Sequence, residues 1–179
     1  FGSLTFALAP PDAPSPTSVT QGETGMNPEA AAYVANVVAM ASKRPSAGRD
    51  GSSRTLVLTT SFSDAVSIGN AVTENLPGAR VMVRTAHHSV NAGIAFLKAN
   101  PDAILISPGM WEGINVPGTI DHLVISRLPI APKGETEGSI FVYASKISTR
   151  TLSEGLARTV RLLRQGIGRA IRAKDDVAT

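Results

Sequence analysis

The chain has no cysteine, which excludes disulfide bracing, thiolate zinc sites, cysteine-held iron–sulfur clusters and cysteine nucleophiles within its 179 residues. Aromatic residues are scarce at 4% and charged residues make up only 17%, whereas hydrophobic residues reach 42%. That balance excludes a coiled coil or a disordered tail. No apolar run approaches the roughly 18 residues that span a bilayer, and no signal-peptide pattern opens the chain. A soluble, cytoplasmic protein without a membrane partner is expected. The length suits one compact domain with a real core. The chain begins at Phe1 and closes on DDVAT with no capping element, as a piece of a longer polypeptide would.

Charge nearly balances, at a formal +3, but it is unevenly spread. Arg150, Arg158, Arg161, Arg164, Arg169, Arg172 and Lys174 crowd the C-terminal stretch. Within it, RLLRQGIGRAIR (161–172) carries four arginines, and the first carboxylate after them is Asp175. Like charges one helical turn apart repel by a few tenths of a kcal/mol per pair, and an internal glycine costs about 1 kcal/mol against alanine. Something must offset both.

The pattern of elements is that of an α/β fold. SLTFAL (3–8) reads as a strand, and APPDAPSPT after it carries four prolines that forbid regular structure. Residues 27–43 read as a helix, with Asn27 as N-cap and Pro28 in the first turn. A loop at 44–53 follows. Short apolar strands are then expected at 55–60, 79–85, 103–107, 122–128 and 139–145, helices at 63–76 and 90–100, and a closing helix over 151–172. Strands alternating with helices imply βαβ crossovers and a parallel sheet with helices on both faces. Residues 1–53 form a lead-in packing on the same domain, and 54–179 form the core. Ligands in such folds bind beyond the C-terminal strand ends, which points to TTSF, SPGMWEG and RLPIAPK.

On the closing helix Gln165, Arg169 and Arg172 are spaced +4 and +3 and share a face. Leu156, Val160, Leu163, Ile167 and Ile171 form a stripe expected to bury against the sheet. Gly168 lies beside the arginines, where a missing side chain admits a ligand or another backbone. Two guanidinium forks and an amide suit phosphoryl oxygens. Spacing alone favours the blander reading, a solvated basic face.

Particular motifs shift that balance. QGIGRAIR (165–172) resembles motif VI of superfamily 2 helicases, Q-x-x-G-R-x-x-R, in the form typical of the DinG and XPD branch. ISPGMWEGINVPG (106–118) resembles that branch's motif V, W-E-G-x-D-x-P-G, with Asn115 where an aspartate is usual. RLPIAPK (127–133) is close to its LPF…P segment, and LVLTTSF (56–62) resembles motif IV, commonly LFTSY. The motifs occur in the family's order over about 55–176. The resemblance implies a RecA-like parallel sheet, the second motor domain of a DinG-like, ATP-dependent DNA helicase. DinG-like proteins also occur in CRISPR-associated systems, and the divergent motif V keeps that variant among the expectations.

No G-x-x-x-x-G-K-[ST] and no D-E-A-H or D-E-A-D box occurs in the chain. Phosphoryl transfer needs a backbone cradle, a lysine and a carboxylate-held magnesium ion. By the resemblance, ATP and Mg2+ are bound mainly by a first RecA-like domain of the same polypeptide, and this domain alone is inactive. Arg169 and Arg172 then reach the γ-phosphate, with Gln165 beside it. Glu112, Gly113, Asn115 and Gly168 complete the ATP side. Thr60, Ser61, Phe62, Ser107 and Trp111 are the expected contacts to single-stranded DNA, through hydroxyl and amide contacts to phosphate and aromatic stacking. Each has a structural alternative: Trp111 as a core anchor, Phe62 packing under its helix, the hydroxyls as caps. His87 and His88 lack a third ligand, so no metal is expected there. A second class of function, an inactive RecA-like module for nucleic-acid binding or assembly, keeps the fold without the motor. A small-molecule Rossmann enzyme lacks its G-x-G-x-x-G turn.

Overall fold

Side chains alternate across a strand with a period of two, and here that alternation divides the core into two layers. The computed structural model describes residues 3–5, 7–16, 25–44, 51–111, 118–129, 149–168 and 177–178. Their elements are β1 (Ser3–Leu4), α1 (Pro28–Ser42), β2 (Thr55–Leu58), α2 (Phe62–Asn75), β3 (Val81–Val83), α3 (Val90–Ala99), β4 (Ile104–Ser107), β5 (His122–Ile125), α4 (Thr149–Ile167) and β6 (Val177–Ala178). Four strands form one parallel sheet in the order β3-β4-β2-β5. Val57, Ile104 and Ile106 face one side and pack with Val34 and Val38 of α1 and Ile68 and Val72 of α2. Leu56, Leu58 and Leu105 face the other side and pack with Leu97 of α3, with Leu162 and Leu163 of α4 against them. The fold is therefore α/β, a parallel sheet covered on both faces, as the strand–helix alternation predicts.

Local chemistry sets the helix starts. Asn27 caps α1, its side chain accepting from the amide of Glu29 at 2.9 Å, with Pro28 at the first position. Ser61 caps α2 through the amide of Asp64 at 3.1 Å, and Ser89 caps α3 through that of Ala92 at 3.1 Å. Because α1 shares a core with β2 and β4, this part of the lead-in is integral to the domain. None of the described helices is long and apolar enough to cross a membrane.

Three expectations need correction. The first strand is two residues long, not six, and pairs with β6 rather than joining the main sheet. The expected stripe of α4 holds at Leu163, which packs on the core, and Ile167 is half-buried, but Val160 is 48% exposed, while Thr159 and Gly166 are buried. The face against the sheet runs through Thr159, Leu162, Leu163 and Gly166, a small-residue face that permits close approach where hydrophobicity alone favoured Val160. Thr159 is satisfied there by donating to the Pro129 carbonyl at 3.4 Å. The strands expected at 79–85 and 122–128 are shorter, at Val81–Val83 and His122–Ile125. The expected strand at 139–145 lies outside the described residues.

Candidate functional site

Every strand of the main sheet runs the same way, so four strand exits open along one edge. At the exit of β2, hydroxyls satisfy one another and the helix that follows. Thr59 Oγ1 donates to the Ser61 carbonyl at 3.0 Å, Ser61 and Ser63 share a hydrogen bond of 3.0 Å, and Thr60 Oγ1 donates to Asp64 Oδ2 at 3.0 Å. Thr60 is exposed; Ser61 is half-buried and occupied as the cap. Phe62 is 42% exposed, so it does not pack wholly beneath α2.

Asp64 joins this corner to the exit of β5. Its carboxylate is fully buried and accepts from Arg127 Nε at 3.0 Å, with Arg127 Nη2 closing the ion pair. Sixty-three residues separate the partners, and no local pattern links them. The signal available was a carboxylate three residues after a serine cap, a position that reads as capping alone. Removing Arg127 leaves a buried charge with only the Thr60 hydroxyl on it. Arg127→Met is expected to lower stability by on the order of 3 kcal/mol. Denaturant unfolding checks this, and Asp64→Asn in the same chain should recover part of the loss.

At the exit of β4, Ser107 is fully buried and its hydroxyl has no hydrogen-bond partner. Trp111 is 7% exposed, and its indole Nε1 donates to the Thr59 carbonyl at 2.7 Å. The ring lies in the core with Leu56, Leu58 and Met110. Of the two contacts expected to single-stranded DNA here, the structure places Trp111 in the core and Ser107 beneath the surface. An indole only 7% exposed, with its N–H already donating to Thr59, presents little ring surface to a base. The core-anchor alternative describes Trp111.

That anchor is where α4 docks. A Cβ at Gly166 would fall 3.1 Å from Leu58 Cδ1 and 3.2 Å from Trp111 Cε3, so a side chain here would press Leu58 and the indole by a few tenths of an ångström. Gln165, beside it, is half-buried with its side-chain oxygen sealed from solvent and unpartnered. Gly168 continues the last turn, its amide donating to the Arg164 carbonyl at 2.9 Å. One contact thus joins the exit loops of β2 and β4 and the C-terminal turns of α4.

A family model described as the helicase C-terminal domain matches residues 49–179, which take in the whole main sheet and α4. The chain belongs to this family. A helicase C-terminal domain is one part of a helicase, an enzyme class that generally hydrolyses ATP, and the four-stranded parallel sheet is consistent with its RecA-like fold. No curated protein matches the chain.

In this helicase C-terminal domain, the expected residues Glu112, Gly113, Asn115, Arg169 and Arg172 lie outside the described residues. His88 turns inward on its own loop, its ring nitrogen 3.2 Å from Thr85 Oγ1. Among the described residues no group of three His, Asp or Glu side chains could hold a metal ion. Sequence reasoning missed Arg84, which follows β3 and places its guanidinium carbon 5.7 Å from the Phe62 ring centroid. A single arginine after a strand carries no pattern that singles it out.

Proposed function

We propose that the chain is the C-terminal motor domain of an ATP-dependent, DinG-like DNA helicase. ATP and Mg2+ are held mainly by a first RecA-like domain of the same polypeptide, with single-stranded DNA along the strand-exit edge. The observation that carries this reading is the single contact among the three motif regions. Gly166 in the motif VI stretch rests on Trp111 of motif V, whose indole holds the Thr59 carbonyl beside motif IV. A change at the nucleotide face of α4 therefore has a packed route to the loops that face nucleic acid.

In this mechanism Arg169 and Arg172 stabilise the charge that develops on the γ-phosphate, at least one of them as an arginine finger. Gln165 orients the phosphate or the attacking water. Its unpartnered amide oxygen can accept only from the attacking water, whereas its side-chain N–H groups are the ones that can donate to phosphate oxygens. Gly168 keeps the approach clear, and Glu112, Gly113 and Asn115 link the nucleotide to β4. Of the DNA contacts expected from sequence, Thr60, Ser61 and Phe62 remain at the accessible edge. Closure on ATP and opening after hydrolysis move the two domains relative to each other.

The test is ATP hydrolysis by the full natural polypeptide with and without single-stranded DNA. DNA-stimulated turnover supports the motor. Bound DNA without turnover would leave the second reading, an inactive RecA-like binding or assembly module.

A further inference from the structure

The arginines of the main sheet divide into two kinds. Arg54 has Asp121 at 3.7 Å, Arg127 has Asp64, and even the exposed Arg80 has Asp102 at 3.6 Å. Arg84 has no carboxylate partner among the described residues, although it is half-buried. Its Nε and Nη1 are sealed from solvent without a hydrogen-bond partner. Its guanidinium lies over the Phe62 ring and against Gly109, where a Cβ would fall 2.6 Å from Nη2. Withdrawing cationic donors from water without an acceptor is unfavourable, so the arrangement leaves a place for an anion beyond the described residues.

The position narrows the anion. Arg84 directly follows β3, and its amide bonds the Ile106 carbonyl at 2.9 Å, so it stands at the strand-exit edge. Glycine at 109 keeps the guanidinium over the loop after β4. The motif VI stretch packs on Leu58 of β2, two strands from β3 in the sheet order. At about 4.8 Å per strand, β3 and β2 lie on the order of 10 Å apart within the sheet. We propose that Arg84, backed by Phe62 and Gly109, is a phosphate-binding site for the backbone of single-stranded nucleic acid. Nη2, the nitrogen not sealed, meets the phosphate first, a shift of the side chain brings Nη1 to a second oxygen as a fork, and the exposed part of the Phe62 ring offers a surface for the adjoining base. This rests on the nucleic-acid reading above and adds a residue to it that carries charge rather than a hydroxyl.

The experiment is binding of a fluorescent oligothymidylate to the full natural polypeptide across a salt series, for the parent, Arg84→Ala and Arg84→Lys. Arg84→Ala should weaken binding about tenfold and reduce the slope of log affinity against log salt by about 0.7, the loss of one single-strand phosphate contact. Arg84→Lys should restore the slope, because charge returns, but only part of the affinity, because the fork does not. An alanine variant that keeps its unfolding temperature, affinity and slope would overturn the site while leaving the helicase reading intact. A loss confined to ATP affinity, with DNA affinity unchanged, would move the phosphate to the nucleotide and overturn it too. A parent that binds no oligothymidylate would overturn the helicase reading itself, and this site with it.

Discussion

Arg172→Ala and Arg169→Ala are each expected to cut DNA-stimulated ATP turnover of the full polypeptide about 10³-fold or more. The size follows from where an arginine finger acts. It meets charge that develops on the transferred phosphoryl group, in a cleft closed to water, so its contribution falls on the transition state rather than on ground-state binding. The predicted signature is a collapse of kcat with a smaller change in KM for ATP. Arg172→Lys should remain severely impaired, because an ammonium keeps the charge but not the planar fork. Steady-state ATP hydrolysis at saturating oligothymidylate measures all three variants, and thermal unfolding confirms that each is folded. Less than a tenfold loss in both alanine variants would remove the motif VI arginines from the chemistry. On the proposed reading, the crowding of like charge between Arg161 and Arg172, unfavourable by itself, would be offset by a bound triphosphate.

Trp111→Ala is expected to destabilise the domain by about 3–5 kcal/mol, the usual range for emptying a large aromatic site in a core. The indole is 7% exposed, meets Gly166 of α4 and donates to the Thr59 carbonyl. Its removal leaves a cavity and an orphaned acceptor, and loosens the seat of α4. At about 2–4 °C per kcal/mol for a domain of this size, the unfolding midpoint should fall by roughly 10 °C or more. Trp111→Phe keeps most of the ring and loses the hydrogen bond, so a smaller drop of about 1–2 kcal/mol is expected. A stacking tryptophan behaves differently: its loss weakens DNA binding by about 1–3 kcal/mol and leaves the fold alone. Calorimetry beside an oligonucleotide titration separates the two. A stable Trp111→Ala protein with weakened DNA binding would reverse the assignment.

What could be read from the residues and what could not follow different physics. Asn27, Pro28 and the strand–helix alternation act over a few residues, and α1 begins on its expected cap; α2 begins at Phe62 on a Ser61 cap, one residue before the expected 63, because several neighbouring hydroxyls there could serve as cap. Motif order was equally legible, since it is a property of the chain itself, and the family match over 49–179 agrees with it. The buried face of α4 was misjudged because periodicity weighs hydrophobicity and not fit. Val160 is the more apolar residue, yet Gly166 makes the contact, because a missing side chain clears Leu58 and Trp111 without displacing them.

By itself, then, the sequence determined the α/β class, the starts of α1 and α3 and the helicase family, all set by short-range chemistry or by order along the chain. Tertiary structure alone decided the strand order β3-β4-β2-β5, the pairing of Asp64 with Arg127, the burial of Ser107 and Trp111, and the isolation of Arg84 from any carboxylate among the described residues. Each of these depends on which distant groups meet once the strands are laid side by side. A side chain's burial and its electrostatic partners are properties of that meeting, and no neighbour in the chain encodes them.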